Sequence, residues 1–210
     1  CYDAAKKYSK DTFIVIEKLG TNFLPTLFEL KRKVDHLSKK TSLLPNNLSD
    51  KLMQFMSKFW PNHLPKRIEK YRELFEHHWI IEMSDEGIEE AQSFFKKFFK
   101  ENEGGFFECS EKEGKKAILH RFTAASAFGR YSALNEDDIG GTMSMDIAFP
   151  RNEKNWFEKL PKEIDDMFEM KLYYGHLFCH VLHQNYIIKK GVDPIKLKEK
   201  LFKTYDNRGA

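Results

Sequence analysis

The stretch YYGHLFCHVLHQNY (Tyr173–Tyr186) places three imidazoles, His176, His180 and His183, in the most apolar segment of the chain. Read as a helix, it would align them at i, i+4 and i+7, a face able to hold a metal. Its Tyr, Leu, Phe and Val, with Ile187 and Ile188 beyond, favour a strand instead. In an unbroken strand His176 and His180 share one face and His183 points to the other, unless a turn or bulge intervenes. The segment therefore reads as one long strand or two hairpinned strands, and it makes this part of the chain a sheet rather than a bundle. Residue types alone weigh toward histidines satisfied by local partners, and the spacing does not by itself define a metal site.

The sequence around it supplies further sheet and helix signals. TMSMDIAF (142–149) alternates strictly, with Met143, Met145, Ile147 and Phe149 on one face and Thr142, Ser144, Asp146 and Ala148 on the other, so it predicts a half-buried strand. Helices are expected over roughly 153–169 and after Pro194. Upstream, HHWIIEM (77–83) reads as a strand. The next segment reads as a helix capped by Ser84 or Asp85, with Ile88, Ala91, Phe95 and Phe98 inward and a stop at Gly104–Gly105. GFFEC (105–109) reads as a short strand, and Ser110–Glu113 as a capping box opening a helix that runs to about Leu134. This β-α alternation from residue 77 predicts an α+β fold, a sheet with helices packed on one face.

Residues 1–76 read differently, as helices broken by prolines. Leu48, Leu52, Phe55, Met56 and Phe59 fall on one helical face, with Asp50, Lys51, Gln54, Ser57 and Lys58 opposite. After Pro61 and Pro65 a second helix turns Leu64, Ile68, Tyr71 and Phe75 inward. The organisation expected is a small basic helical lobe over 1–76 and an α+β domain over 77–210, with the helix over 111–134 a candidate for sharing between them.

Charge divides in the same place. Residues 1–78 hold 15 Lys/Arg against 9 Asp/Glu, a net of +6, whereas 79–210 carry 20 against 23, a net of −3. The cations Lys31, Arg32, Lys33, Lys39, Lys40, Lys66, Arg67, Lys70 and Arg72 suit an anionic surface such as phospholipid head groups. No zinc-finger, RNP or helix-turn-helix signature supports nucleic acid as a partner. Nor is there any Gly-rich phosphate loop or serine-nucleophile motif. The apolar runs are far shorter than the roughly 18 residues a spanning helix needs. Three cysteines without CxxC spacing point to reduced thiols in a cytosolic setting. The chain opens at Cys1 in mid-pattern, without a signal peptide, and reads as a piece of a longer protein.

Arg121 carries the sharpest functional signal. In AILHRFTAASAFGRY (117–131) it shares the stripe Ala117, Arg121, Ala124, Phe128, otherwise small and apolar. A charge there needs a partner or a ligand. An internal ion pair, with Asp146 as candidate, and a clamp for a substrate carboxylate are both open. Arg130, half a turn away in projection, is expected to be solvated.

Across nearly its whole length the chain resembles the C-terminal half of the respiratory, quinone-dependent D-lactate dehydrogenases of bacteria. The resemblance rests on KDTFIVIEKLGTNFLP, LHRFTAASAFGRY, LPKEID and KLYYGHLFCHVLHQNYIIKKGVD. It implies an FAD enzyme related to vanillyl-alcohol oxidase, with a flavin domain outside this chain, an α+β cap and a membrane-binding segment. It further implies a peripheral position on the cytoplasmic face of the bacterial inner membrane, with D-lactate, quinone and anionic phospholipid as partners. Gly175–His176 and His183 match the Gly-His, six residues, His motif of related 2-hydroxy-acid dehydrogenases. By that resemblance His183 or His176 takes the hydroxyl proton, Arg121 binds the carboxylate, and the two histidines are candidate ligands of a divalent metal. The relatives' intervening Gly-Asp-Gly turn is replaced here by Leu177–Phe178–Cys179–His180. Their later Glu-His pair would fall beyond Ala210. A non-catalytic, peripheral lipid-binding module is the alternative from a different class.

Overall fold

The structure, a computed structural model, describes residues 1–41, 44–155, 158–176 and 178–210. The helices come first: α1 (Tyr2–Tyr8), α2 (Lys10–Leu19), α3 (Leu24–Lys40), α4 (Leu48–Ser57), α5 (Lys66–Leu74), α6 (Gly87–Glu101) and α7 (Glu111–Leu134). The sheet region follows with β1 (Ile139–Ala148), α8 (Lys162–Asp165), β2 (Phe168–His176), β3 (Val181–Lys189) and α9 (Pro194–Asp206). The strands form one antiparallel sheet in the order β1-β3-β2. The fold is α+β, and among the described residues no helix is long and apolar enough to cross a membrane.

The alternation of β1 sets the sheet's two faces. Met143, Met145 and Ile147 are buried on one side, opposite Tyr186, Gln184 and Leu182 of β3 in register. Leu197, Leu201 and Tyr205 of α9 close over that side with Phe149 and Phe168, forming the main apolar core. Pro194 opens α9, and the Asp193 carboxylate accepts from the Ile195 N–H at 2.9 Å, so the chain turns into this helix where the sequence signals it. A buried polar knot lies under α9. The Tyr186 hydroxyl donates to Gln184 Oε1 at 2.5 Å and meets the Tyr205 hydroxyl at 3.0 Å, while Tyr205 also reaches Glu158. Burial pushes the Tyr173, Tyr186 and Tyr205 phenols up, so all three remain neutral donors.

The helical lobe assembles around α7. Its capping box forms as read from the sequence, Glu113 accepting from Ser110 N at 2.9 Å while its own N–H reaches the Ser110 hydroxyl. Ala117, His120, Thr123, Ala124, Ala127 and Arg130 recur at helical spacing and are buried where α1, α2 and α4 pack. Arg130 is not solvated. It lies on this stripe, 9% exposed, bonded to Asp11 of α2 and, through Nε at 2.7 Å, to Asp50 of α4. Asp50 in turn receives Lys31 of α3 at 2.6 Å. One guanidinium thereby ties two helices to α7, and Lys31 adds α3 through the shared Asp50 carboxylate.

Four further expectations from the sequence are corrected. HHWIIEM is irregular and exposed and pairs with no described strand, and β-propensity without a neighbouring edge makes no sheet. GFFEC is irregular because its groups are spent on α5: the Tyr71 hydroxyl donates to Phe106 O at 3.0 Å, and the Phe107 ring packs on Tyr71 at 4.5 Å and on Arg67 at 4.4 Å. The helix expected over 153–169 shrinks to one turn after Pro161, since proline cannot sit in a helix interior, and Phe168 is already in β2. Part of that span, Trp156 and Phe157, lies outside the described residues. Finally, α6 starts at Gly87 with no side-chain cap and contains no buried residue, so Ile88, Ala91, Phe95 and Phe98 do not enter a core.

Two tests follow from this packing. Arg130→Met would leave Asp11 buried without its cation and Asp50 with Lys31 alone, and urea unfolding should show a loss of roughly 3–5 kcal/mol; a loss under about 1 kcal/mol would mean the arginine does not hold the lobe together. The second concerns His63 and His120, whose rings meet Nε2 to Nδ1 at 2.9 Å in the lobe's interior. Burial, reinforced by His120 and Lys10, pushes His63 down from 6.5 to about 3, and burial lowers His120 to about 4. The unfolded chain therefore binds more protons than the folded one below about pH 6.5, and stability falls as pH drops through that range. The urea midpoint should decline from about pH 7 to about pH 5, with a shallower slope in a His63→Gln, His120→Gln double variant.

Candidate functional site

The second face of the sheet is polar. β1 contributes Ser144 and Asp146, β3 contributes Asn185 and His183, and β2 contributes Tyr174 and His176, paired Asp146 with His183, Ser144 with Asn185, and Tyr174 with His183. In a single strand, His176 and His183 would be on opposite faces. They share a face because the chain turns between them, and the turn uses residues with no glycine or proline. Phe178–His180 form it, with His180 in the left-handed conformation at φ +54°, a region where histidine is among the better tolerated side chains. Leu177, also part of that motif, lies outside the described residues. Gly175 has a separate role: a Cβ there would lie 2.5 Å from the Val181 carbonyl oxygen, so the hairpin closes only around a glycine.

Arg121 reaches this face from α7. Its Nη2 sits 3.0 Å from His176 Nε2, and the His176 and His183 rings stand edge to face with centroids 5.3 Å apart. His183 Nδ1 lies 2.6 Å from Asp146 Oδ1, and Tyr174 packs beside it at 5.0 Å. Asn185 Nδ2 donates to the Tyr174 hydroxyl at 3.2 Å, and the Ser144 hydroxyl donates to Asn185 Oδ1 at 2.8 Å. Arg121, His176 and His183, singled out from the sequence, thus come together. Asp146 is the addition, since it binds His183 rather than Arg121. Its signal was available in the outward alternation of TMSMDIAF, but a one-residue choice of register decides which partner it meets. His180 stands in the turn, apart from the shared face.

The hydrogen bonds fix the protons. A guanidinium only donates, so His176 accepts at Nε2 and carries its proton on Nδ1. A carboxylate only accepts, so His183 donates from Nδ1 and presents Nε2 as its free lone pair. The cluster opens to solvent, with the Asp146 side chain 72% and the His183 side chain 24% exposed. It can bind a carboxylate on the guanidinium and accept a proton on the imidazole beside it. As potential metal ligands, the two histidines stand alone on this face, Asp146 being bonded to His183. The Nε2 of His176 faces a fixed cation, and no group of three potential ligands occurs among the described residues.

The nine basic residues of the lobe separate into two sets. Lys31, Lys33, Arg67 and Arg72 pair with Asp50, Glu29, Glu113 and Asp3. Arg32, Lys39, Lys40, Lys66 and Lys70 form no ion pair among the described residues. Arg32 and Lys39 line a shallow groove with Phe28, Lys31 and His36 beside Asp35.

Comparison with known proteins places the chain. A family described as D-lactate dehydrogenase, membrane binding, matches residues 1–210. Quinone-dependent D-lactate dehydrogenases align over the whole chain. That of Haemophilus influenzae is 49% identical over 210 residues, that of Escherichia coli 45% over 209, and that of Corynebacterium glutamicum 41% over 211. The chain spans 37% of the length of each of these relatives. It belongs to the membrane-binding D-lactate dehydrogenase family.

Nitrogen-15 NMR of the imidazoles near neutral pH should show His183 and His176 each protonated at Nδ1 in their neutral forms. Asp146→Ala should release His183 alone to the mixed tautomer population of a free imidazole. A His183 that already favours Nε2–H in the unsubstituted protein would contradict the assigned bond.

Proposed function

We propose, with membership of this family as the premise, that the chain supplies the substrate-side and membrane-binding elements of a peripheral-membrane flavoenzyme that oxidises D-lactate to pyruvate and passes electrons to quinone. What carries the reading is the contact between Arg121 and His176 beside the Asp146-held His183. Arg121 binds the lactate carboxylate with its unengaged N–H groups, and His176 steadies the guanidinium through Nε2. His183 takes the C2 hydroxyl proton at its free Nε2, and Asp146 stabilises the imidazolium that forms. FAD, held mainly by a domain outside this chain, supplies the acceptor for the C2 hydride. Loss of one proton and one hydride converts the hydroxy acid to the keto acid. No step needs a metal.

The membrane role falls to residues 1–76, with α7 shared between that segment and the domain over 77–210. Arg32, Lys39, Lys40, Lys66 and Lys70, unspent on internal ion pairs, meet anionic phospholipid head groups on the cytoplasmic face of the bacterial inner membrane. Each such cation contributes about 1 kcal/mol near an anionic surface. Attachment there would hold the enzyme beside lipid-soluble quinone. A lipid-binding module without catalytic role would share these cations but has no use for a guanidinium, two imidazoles and a carboxylate converging on one open face.

In the full-length protein, D-lactate and not L-lactate should bleach the flavin absorbance. His183→Ala should slow bleaching by about 10²- to 10⁴-fold, the span of general-base catalysis. Arg121→Gln should act mainly by raising the D-lactate concentration needed. Unchanged kinetics in both variants would remove this site from the reaction.

A further inference from the structure

The helix α4 is inside out. Its apolar residues Leu52, Phe55 and Met56, with Phe59 in the turn that follows, recur at i, i+3, i+4 and i+7, the spacing of a stripe that normally faces a core. Here they face solvent, at 52%, 56%, 41% and 74% exposure. The residues that α4 buries are Ser49, Asp50 and Ser57. That orientation is enforced from within. Asp50 holds Arg130 and Lys31, and Ser49 donates to Asp35 through both its N–H, at 2.9 Å, and its hydroxyl, at 2.7 Å. Turning the helix over to bury its phenylalanines would take Asp50 away from the buried Arg130 and Ser49 away from Asp35.

We propose that this stripe enters the acyl-chain boundary of an anionic bilayer, so that α4 is the hydrophobic anchor of the membrane-binding surface. The inference rests on the reading of residues 1–76 as bilayer-binding, and it changes the nature of the contact from charge alone to charge plus insertion. Two observations select lipid as the occupant. The whole chain matches a family described as membrane binding. The charge around the stripe also has one sign: from Lys51 to Ile68 the sequence holds Lys51, Lys58, Lys66 and Arg67 and no carboxylate, while Asp50 is buried against Arg130. Lys51 and Lys58 are exposed beside the stripe, and Lys58 folds over the Phe55 ring at 5.9 Å. An amphipathic helix with lysines flanking an aromatic face lies in the plane of the interface, its apolar side below the head groups and its ammonium groups among the phosphates. The Phe55 and Phe59 rings, 5.4 Å apart and edge to face, give that side its bulk.

The test uses the full-length protein and vesicles of phosphatidylglycerol and phosphatidylcholine, with co-sedimentation measured from low to high salt. The unsubstituted protein should keep a salt-resistant bound fraction. A Leu52→Gln, Phe55→Gln, Phe59→Gln variant should lose that fraction by ~10-fold or more with its unfolding temperature unchanged, because none of the three side chains supports the core. Lys51→Gln with Lys58→Gln should weaken binding only at low salt. A separate Phe55→Trp variant should gain blue-shifted emission on vesicles and be quenched by lipids brominated in the acyl chain. Equal binding of the triple variant and the parent at every salt concentration would overturn the insertion while leaving an electrostatic attachment intact. So would a Phe55→Trp emission blind to brominated chains. A triple variant that turns a dimer into a monomer without loss of lipid binding would give the face to a second copy and overturn it as well. A parent protein that binds no vesicle at any salt would end both this proposal and the membrane reading beneath it.

Discussion

The Arg130 guanidinium, held between Asp11 and Asp50, is the constraint from which the helical half of the structure follows. A charge buried this deeply needs partners in a fixed geometry, and here the partners come from two other helices. Their positions are therefore set by one hydrogen bond and one ion pair as well as by apolar packing, which alone tolerates sliding and rotation. Lys31 extends the arrangement to α3 by sharing the Asp50 carboxylate. The result is a lobe whose interior is unusually polar for its size, with Ser9, Asp11, Ser38, Ser49, Asp50, Ser57 and His63 all buried.

A polar interior has a geometric consequence. An amphipathic helix offers one face to its neighbours, and when the polar face is taken inward the apolar face has only the outside left. That is the situation of α4, and it reverses the ordinary inference from sequence pattern to burial. In water such a surface is a liability. At a lipid surface it becomes the favourable arrangement, and the same network that holds Asp50 inward holds Phe55 and Phe59 outward.

How much of this could be read in advance depends on whether a feature is local. The alternation in TMSMDIAF, the capping box at Ser110–Glu113 and the Asp193–Pro194 start of α9 are decided by neighbouring residues, and the structure has all three. The helical period of α4 was equally legible, but period gives a face and not the direction it points. That direction depends on an arginine 80 residues downstream. The same limit misplaced Arg130: its angular separation from Arg121 was right, but α7 has two working faces, one toward the helical lobe and one toward the sheet, and the pattern alone does not say which charge goes where. HHWIIEM failed for a related reason, because a strand exists only with a partner and its composition cannot supply one.

The candidate site shows the other side of that limit. Arg121, His176 and His183 were identifiable as unusual charges and imidazoles in apolar surroundings, and their convergence depends on a turn that carries none of the usual signals. A hairpin whose turn contains Phe178, Cys179 and His180 should be a poor one, and left-handed φ at His180 carries a conformational cost that Gly or Asn would reduce. The cost is offset by what the turn achieves. Moving the chain direction by an odd number of residues between positions 176 and 183 brings two imidazoles that strict alternation would separate onto one face, each with its proton placed by a different charged partner. A glycine at 175 makes the close approach of Val181 sterically feasible, so the Gly-His pairing in the sequence is a packing requirement first and a chemical motif second. Backbone strain in this hairpin and proton placement at the histidines are therefore one feature of the fold.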